Sequence, residues 1–220
     1  EKGQVLVKKL LEGVNIALIT DAGTPAISDP GELLVKMCYE AGIEVTSLPG
    51  PAACITALTL SGLATRRFCF EAFLPVDKKE RQAVLEELKN ETRTIILYEA
   101  PHRMVKTLKE LEAVLGNRKM TLVRELTKRY ETAFCTTISD ALKYYETEEV
   151  KGECVVVLEG RDPAELVEEA REQWKDMPLS EHMKHYESQG IDRKEAMKLV
   201  AKDRGLSKRD IYKALLEEET

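Results

Sequence analysis

Thr20-Asp21-Ala22-Gly23-Thr24-Pro25-Ala26-Ile27-Ser28-Asp29-Pro30-Gly31 stands between an apolar, strand-like run (15–20) and an amphipathic run with helical spacing. The second run carries its own punctuation. Asp29 is placed to cap a helix, Pro30 suits its first turn, Glu32 completes a capping box and Gly42 can end it. Leu33, Leu34, Met37, Cys38 and Ala41 fall on one helical face. A second strand-like run, 44–48, follows, so the segment predicts a βαβ unit with parallel strands and a right-handed crossover. In such sheets ligands bind in the crevice beyond the carboxyl ends of the strands, where this loop lies. Ala22 and Gly23 let a ligand approach the main chain, Thr24, Ser28 and the peptide groups can hydrogen-bond it, and Asp21 offers an acceptor. A rigid turn of small residues and prolines is the competing reading.

Outward from this loop, Leu48-Pro49-Gly50-Pro51 breaks the chain before a small-residue helix at 52–60, suited either to a close ligand or to tight packing on a sheet. Further strands are expected at 67–73, 94–98, 120–126, 132–138 and 154–159, alternating with helical runs, which defines α/β layers. A boundary is expected near residue 65. From Asp162 the pattern is helical only, with Pro178 dividing an acidic helix containing Trp174 from three short helices. Ser180, Asp192 and Ser207 are candidate caps for these, and Gly190 and Gly205 candidate stops. The expected organisation is therefore 1–65 and 66–161 as two α/β domains, 162–178 as a linker helix and 179–220 as a helical extension.

The chain of 220 residues is 43% hydrophobic and 33% charged, enough to bury a core and unlike a disordered or disulfide-built chain. Its longest apolar run, Cys154 to Leu158, is far shorter than the ~20 residues of a membrane-spanning helix. Five cysteines without a C-x-x-C pair fit reduced thiols in a cytoplasmic protein and leave zinc unsupported. The net charge of −6 is unlike that of a general nucleic-acid binder, so any RNA partner must meet a local patch. One candidate is the C-terminal tail. Residues 179–220 carry nine basic and nine acidic side chains, with Lys194, Lys198 and Lys202 recurring every four residues and Lys208, Arg209 and Lys213 opening the last helix. That face suits a phosphate backbone or plain solvation, and three short helices also fit a helix-turn-helix module, against which the neutral charge speaks.

Neither a P-loop nor a G-x-G-x-x-G motif is present, nor a G-x-S-x-G elbow, which argues against ATP hydrolysis, NAD-dependent redox and serine hydrolysis. His182 and His185 share a helix face but have no accompanying ligand set, and read as surface residues. Polar residues instead gather at three strand ends: Tyr98 to Arg103, Arg124 to Lys128, and Lys151 to Glu153. Together they can converge on one cleft; singly, each can be an ion pair or a helix cap.

Six ordered blocks carry a family resemblance: DAGTPAISDPG (21–31), LPGPAA (48–53), FEAFLP (70–75), YEAPHR (98–103), RELTKRYE (124–131) and KGECVVVLEG (151–160). They resemble the bacterial small-subunit ribosomal RNA cytidine-2′-O-methyltransferase I family, within the tetrapyrrole methylases, the class III S-adenosylmethionine-dependent methyltransferases. SKRDIYKALL (207–216) is similar to that family's helical ending. The resemblance implies a two-domain α/β tetrapyrrole methylase-like fold with a small C-terminal helical extension. It also implies S-adenosyl-L-methionine as cofactor, methylation of a cytidine 2′-hydroxyl in the small (30S) ribosomal subunit, and a homodimer without a membrane span. Asp21, Ala22, Gly23, Thr24, Pro25, Ala26, Ile27 and Ser28 would form the main cofactor loop, with Pro51, Ala52 and Ala53 beside it and Leu97, Tyr98, Arg124 and Gly152 toward the adenosyl half. Glu99 and Glu125 are the candidate bases, and Lys128 and Arg103 the candidates to hold phosphate or orient the ribose. Family members open with a TPIGNLxD loop and an EDTR block, neither of which occurs here. The resemblance thus implies a first domain short of its opening strands, one of them central to its sheet. Two further functions stand beside this one: methylation of a tetrapyrrole ring carbon, and noncatalytic binding to the ribosome.

Overall fold

The structure, a computed structural model, describes residues 2–218 and divides into two compact units, 1–160 and 161–220. In the first unit three helices, α1 (Lys2–Leu11), α2 (Glu32–Glu40) and α3 (Ala53–Leu60), precede a five-stranded sheet and its helices. The strands are β1 (Phe68–Phe73), β2 (Thr94–Glu99), β3 (Lys119–Arg124), β4 (Thr132–Thr137) and β5 (Cys154–Leu158), in the order β1-β2-β5-β3-β4. β1 and β2 run parallel, joined by α4 (Lys78–Leu88); β5 lies antiparallel between β2 and β3, and β4 closes a hairpin with β3. α5 (Pro101–Leu115) and α6 (Ile138–Tyr144) complete the unit.

The central position of β5 explains its sequence. Cys-Val-Val-Val-Leu does not alternate because both faces of the strand are covered. Cys154, Val156 and Leu158 pack with Leu97, Leu122, Leu108 and Leu111 on one face, while Val155 and Val157 meet Ile96, Val123, Ala57 and Leu58 of α3 on the other. Each valine, leucine or isoleucine among them, fully buried, stabilises the fold by about 1.5–3 kcal/mol. Local signals start the helices: Asp77 accepts from the amides of Lys79 and Glu80 to open α4, Pro101 occupies the first turn of α5, and Thr137 caps α6.

Just before β2, the Glu91 carboxylate accepts from the Arg93 amide (2.7 Å), its Nε (2.9 Å) and its Nη2 (2.5 Å). The arginine hydrogen bonds hold this carboxyl down at about 2, from an ordinary value of 4.5. A depressed folded-state pKa contributes stability that is present above the unfolded value and lost as pH falls through the folded one. Melting temperatures should therefore show wild type more stable than Glu91→Gln at pH 6, with the gap closing between pH 4.5 and 2. A gap that stays constant across that window would show that the ion pair does not titrate with folding.

The structure corrects several expectations. Residues 15–20 and 44–48 form no ladder with each other or with any described strand, so the parallel βαβ unit is not made. A strand is stable only as half of a pair, and these segments leave Ile19 and Leu48 more than four-fifths exposed. The residue at the N-cap of helix α2 is Gly31, with no side-chain cap, so Asp29 does not play that part, whereas Gly42 does take the left-handed turn after the helix. α1 was not foreseen; it packs on α2, with Gly3 close against Met37.

In the second unit α7 (Pro163–Glu172) precedes α8 (Leu179–Glu187), α9 (Arg193–Arg204) and α10 (Lys208–Glu218), whose shared core includes Met183, Val200, Ile211 and Leu215. Asp192 caps α9, Ser207 and Asp210 form a reciprocal cap at α10, and Gly205 turns left-handed between them. Ser180 lies inside α8, whose first residue follows Pro178. His182 is not at the surface: it is fully buried and stacked on Trp174 at 3.9 Å. Its Nδ1 accepts from Arg204 Nε, which leaves the proton on Nε2, 3.3 Å from Asp203 Oδ2 but poorly aligned for a hydrogen bond. Burial, and then the Arg204 charge, push its pKa down, so the ring is neutral at pH 7.

Candidate active site

The strand directions put several chain ends on one edge of the sheet. Glu99 at the end of β2 pairs with Cys154 at the start of β5, Cys154 with Arg124 at the end of β3, and Arg124 with Thr132 at the start of β4. The three polar groups expected to converge therefore do share an edge. The small-residue loops reach the same edge through Tyr98. Its side chain lies on the α3 face of the sheet, and its hydroxyl accepts from the Cys54 amide in the first turn of α3 (3.1 Å). Burial, with the neighbouring Cys54, raises the Tyr98 pKa to about 12, so it stays protonated. Phe70 and Phe73 meet its ring edge-on.

Pro51, Ala52 and Ala53 lead into α3, and the Asp21–Ser28 loop docks on them: Thr24 Oγ1 donates to the Pro51 carbonyl at 3.0 Å. The fit is close. A Cβ on Gly23 would lie 3.3 Å from that carbonyl, and one on Gly50 would lie 3.1 Å from Thr24 Oγ1. Ala26 and Ser28 both hold positive φ, at 66° and 68°, which a side-chain-bearing residue adopts only when its surroundings impose it. Among the described residues, 21–30 make no backbone–backbone hydrogen bond outside regular elements. Buried or ligand-facing peptide groups need partners, so the peptide groups of this partly exposed loop are suited to a polar ligand lying along it. Asp21, Ala22, Gly23, Ile27 and Ser28 are exposed, and Thr24, Pro25 and Ala26 half-buried.

The other candidates divide into two groups. Glu125 Oε1 accepts from the Glu153 amide (2.8 Å) and from Lys128 Nζ (3.3 Å), and Lys128 Nζ also reaches Glu153 Oε2 (2.9 Å). Gly152 makes this possible: with φ 81° it leaves the room that a Cβ would take, only 2.4 Å from Glu125 Oε1. The Glu153 amide, then Lys128, hold the Glu125 carboxyl below its ordinary range, while Glu153 and Glu125 hold the Lys128 ammonium above its own. Glu99 and Arg103 lie on the opposite face of the sheet from Tyr98. The Glu99 carboxylate is buried against Thr107 Oγ1 (2.5 Å), the Ala100 amide (2.9 Å), Arg103 Nε (3.3 Å) and Arg81 Nη2 (3.8 Å). Leu97 points into the core on this same face, so only its main chain reaches the edge, and Arg124 Nε donates to Thr132 Oγ1 at 3.1 Å.

The sequence marks the Lys151–Glu153 block but not Glu153 as the third member of the clamp, and it gives no sign of Arg81. Arg81 sits in a charged run, Lys-Lys-Glu-Arg-Gln, and nothing local distinguishes it from a solvated helix face. Among the described residues no cluster of three His, Cys, Asp or Glu side chains could hold a metal ion.

Fold and site together define an α/β domain in which a loop of small residues docks beside the sheet edge where β2 and β3 end. The profile of the Tetrapyrrole (Corrin/Porphyrin) Methylases matches residues 1–142. The Ribosomal RNA small subunit methyltransferase I of Halalkalibacterium halodurans is 45% identical over 210 residues, covering 96% of this chain and 72% of that protein. Its Bacillus subtilis counterpart is 42% identical over 212 residues, with the same coverage of each. Among solved structures, the methyltransferase CobJ superposes with a TM-score of 0.56 over 72% of this chain and 70% of its own, at 18% identity, a likeness of fold alone. The chain belongs to the tetrapyrrole methylases and, within them, to the ribosomal RNA small subunit methyltransferase I family.

Proposed function

We propose that the chain transfers the methyl group of S-adenosyl-L-methionine to the 2′-hydroxyl of a cytidine in small-subunit ribosomal RNA. The observation that carries this reading is the Asp21–Ser28 loop. It docks on Pro51 and offers a row of unpaired peptide groups at the sheet edge, in a chain of this family. The sulfonium of the cofactor supplies an already activated methyl group. What the protein must add is in-line positioning, which can account for about 7–11 kcal/mol of a barrier. The loop and the Pro51–Ala53 turn suit the adenosyl donor, and Tyr98 fixes the turn against the sheet. Lys128, a cation held in place by two carboxylates, suits a ribose or phosphate oxygen. The depressed pKa of Glu125 makes it a weak proton acceptor and fits an orienting role better than that of a base. Glu99 and Arg103 then act on the fold.

The same reading takes residue 65 as the division between two α/β parts, the active form as a homodimer, and the cytoplasm as its location; among the described residues no helix is long and apolar enough to cross a membrane. Calorimetry with S-adenosylmethionine, followed by methyl labelling of 30S subunits against a precorrin substrate, tests the proposal. Saturable heat and label confined to the RNA are expected. Absence of heat, or label in the corrin alone, would overturn it.

A further inference from the structure

The turn between β3 and β4 has features that methyl-donor binding leaves unexplained. Glu125 and Thr127 hold left-handed φ values of 52° and 61° without being glycine. Surrounding contacts maintain that costly shape. The Thr127 amide donates to Glu131 Oε2 (2.6 Å), the Lys128 amide to the Glu125 carbonyl (2.9 Å) and the Glu131 amide to the Lys128 carbonyl (3.2 Å). Lys128 also ties the turn to Glu153. The product of this bracing is a fixed tip that displays Arg129 and Tyr130. Tyr130 is 70% exposed, and the Arg129 guanidinium lies 5.5 Å from the centre of its ring.

The tip rises from the sheet edge that carries Tyr98. β3 and β2 are separated there by β5 alone, so their ends are two strand spacings, about 10 Å, apart. An exposed aromatic ring paired with a guanidinium plane is the chemistry that grips an unstacked base, since every base has a π face and stacking tolerates any sequence. We infer that Arg129 and Tyr130 form a stacking platform that binds a base of the RNA substrate, either the target base or its neighbour, and so holds that strand at the site. This rests on the RNA methylation proposed above.

Steady-state methylation of 30S subunits by Tyr130→Ala, Tyr130→Phe and Arg129→Ala tests the platform, alongside calorimetry with S-adenosylmethionine and light scattering. Tyr130→Ala should raise KM for the subunit on the order of 10- to 100-fold, the range of base–aromatic stacking, with kcat and cofactor affinity little changed. Tyr130→Phe should restore KM, and Arg129→Ala should raise it by a smaller factor. An unchanged KM in Tyr130→Ala, or a phenylalanine variant as impaired as alanine, overturns the platform while leaving the methyltransferase reading intact. A Tyr130→Ala chain that changes its oligomeric mass identifies the tip as a protein contact and overturns it equally. A wild type that labels no RNA removes the parent reading, and this inference with it.

Discussion

Arg81→Ala is expected to lower the unfolding free energy by about 3–5 kcal/mol, the cost of leaving a buried charge without its partner. The Glu99 side chain is 1% exposed and that of Arg81 6%. Arg81 does more than face Glu99: its Nη2 donates to Thr107 Oγ1 (2.7 Å), which in turn donates to Glu99, and its Nε binds Glu110 (2.6 Å). Truncation leaves Glu99 with Arg103, whose side chain is 26% exposed and whose attraction is correspondingly screened. The double variant Arg81→Ala/Glu99→Gln separates charge from packing. It should regain part of the loss, because a neutral amide needs no counterion. Urea denaturation of the four proteins completes the cycle, and a loss under 1 kcal/mol for Arg81→Ala would show that Arg103 alone satisfies the carboxylate.

The second large effect is catalytic. Gly152→Ala places a methyl group about where Glu125 Oε1, Cδ and Cγ now lie, at 2.4–2.5 Å, and asks alanine to hold φ 81°. The backbone term costs about 1–2 kcal/mol. The larger consequence is that Glu125 must swing away, releasing the Glu153 amide and Lys128. A shift of about 1 Å at a positioning group can cost 100-fold in rate, and single-turnover methylation should fall on that order. Adding Glu125→Ala removes the side chain that the new methyl meets. Stability should then recover in part while the rate stays low, because the clamp is gone in both. A Gly152→Ala enzyme with wild-type rate would mean that the clamp does not position the reacting groups.

Much of this architecture was legible because its causes are local. The unbroken Cys-Val-Val-Val-Leu run marked a strand, and Asp192, Ser207, Gly42 and Gly205 marked helix ends by hydrogen-bonding and φ preferences that depend only on near neighbours. The small-residue loop and the three polar strand ends were visible for the same reason. The apolar runs at 15–20 and 44–48 misled because their composition reports a capacity to pair, whereas a ladder requires a neighbour. His182 misled in the opposite sense: its polar surroundings in sequence gave no sign that Trp174 and Arg204 would enclose it.

Sequence alone determined the family, the alternation of strands and helices, and the presence of a backbone-lined loop after the first apolar run, since each follows from residue order and short-range chemistry. Only tertiary structure decided that Glu125 and Glu99, both carboxylates at strand ends, have opposite surroundings. β2 and β3 end on the same edge, but alternate residues of a strand face opposite sides of the sheet. Glu99 is therefore carried inward to Arg81 and Thr107, while Glu125, one residue beyond its strand, turns left-handed and outward to Gly152 and Lys128.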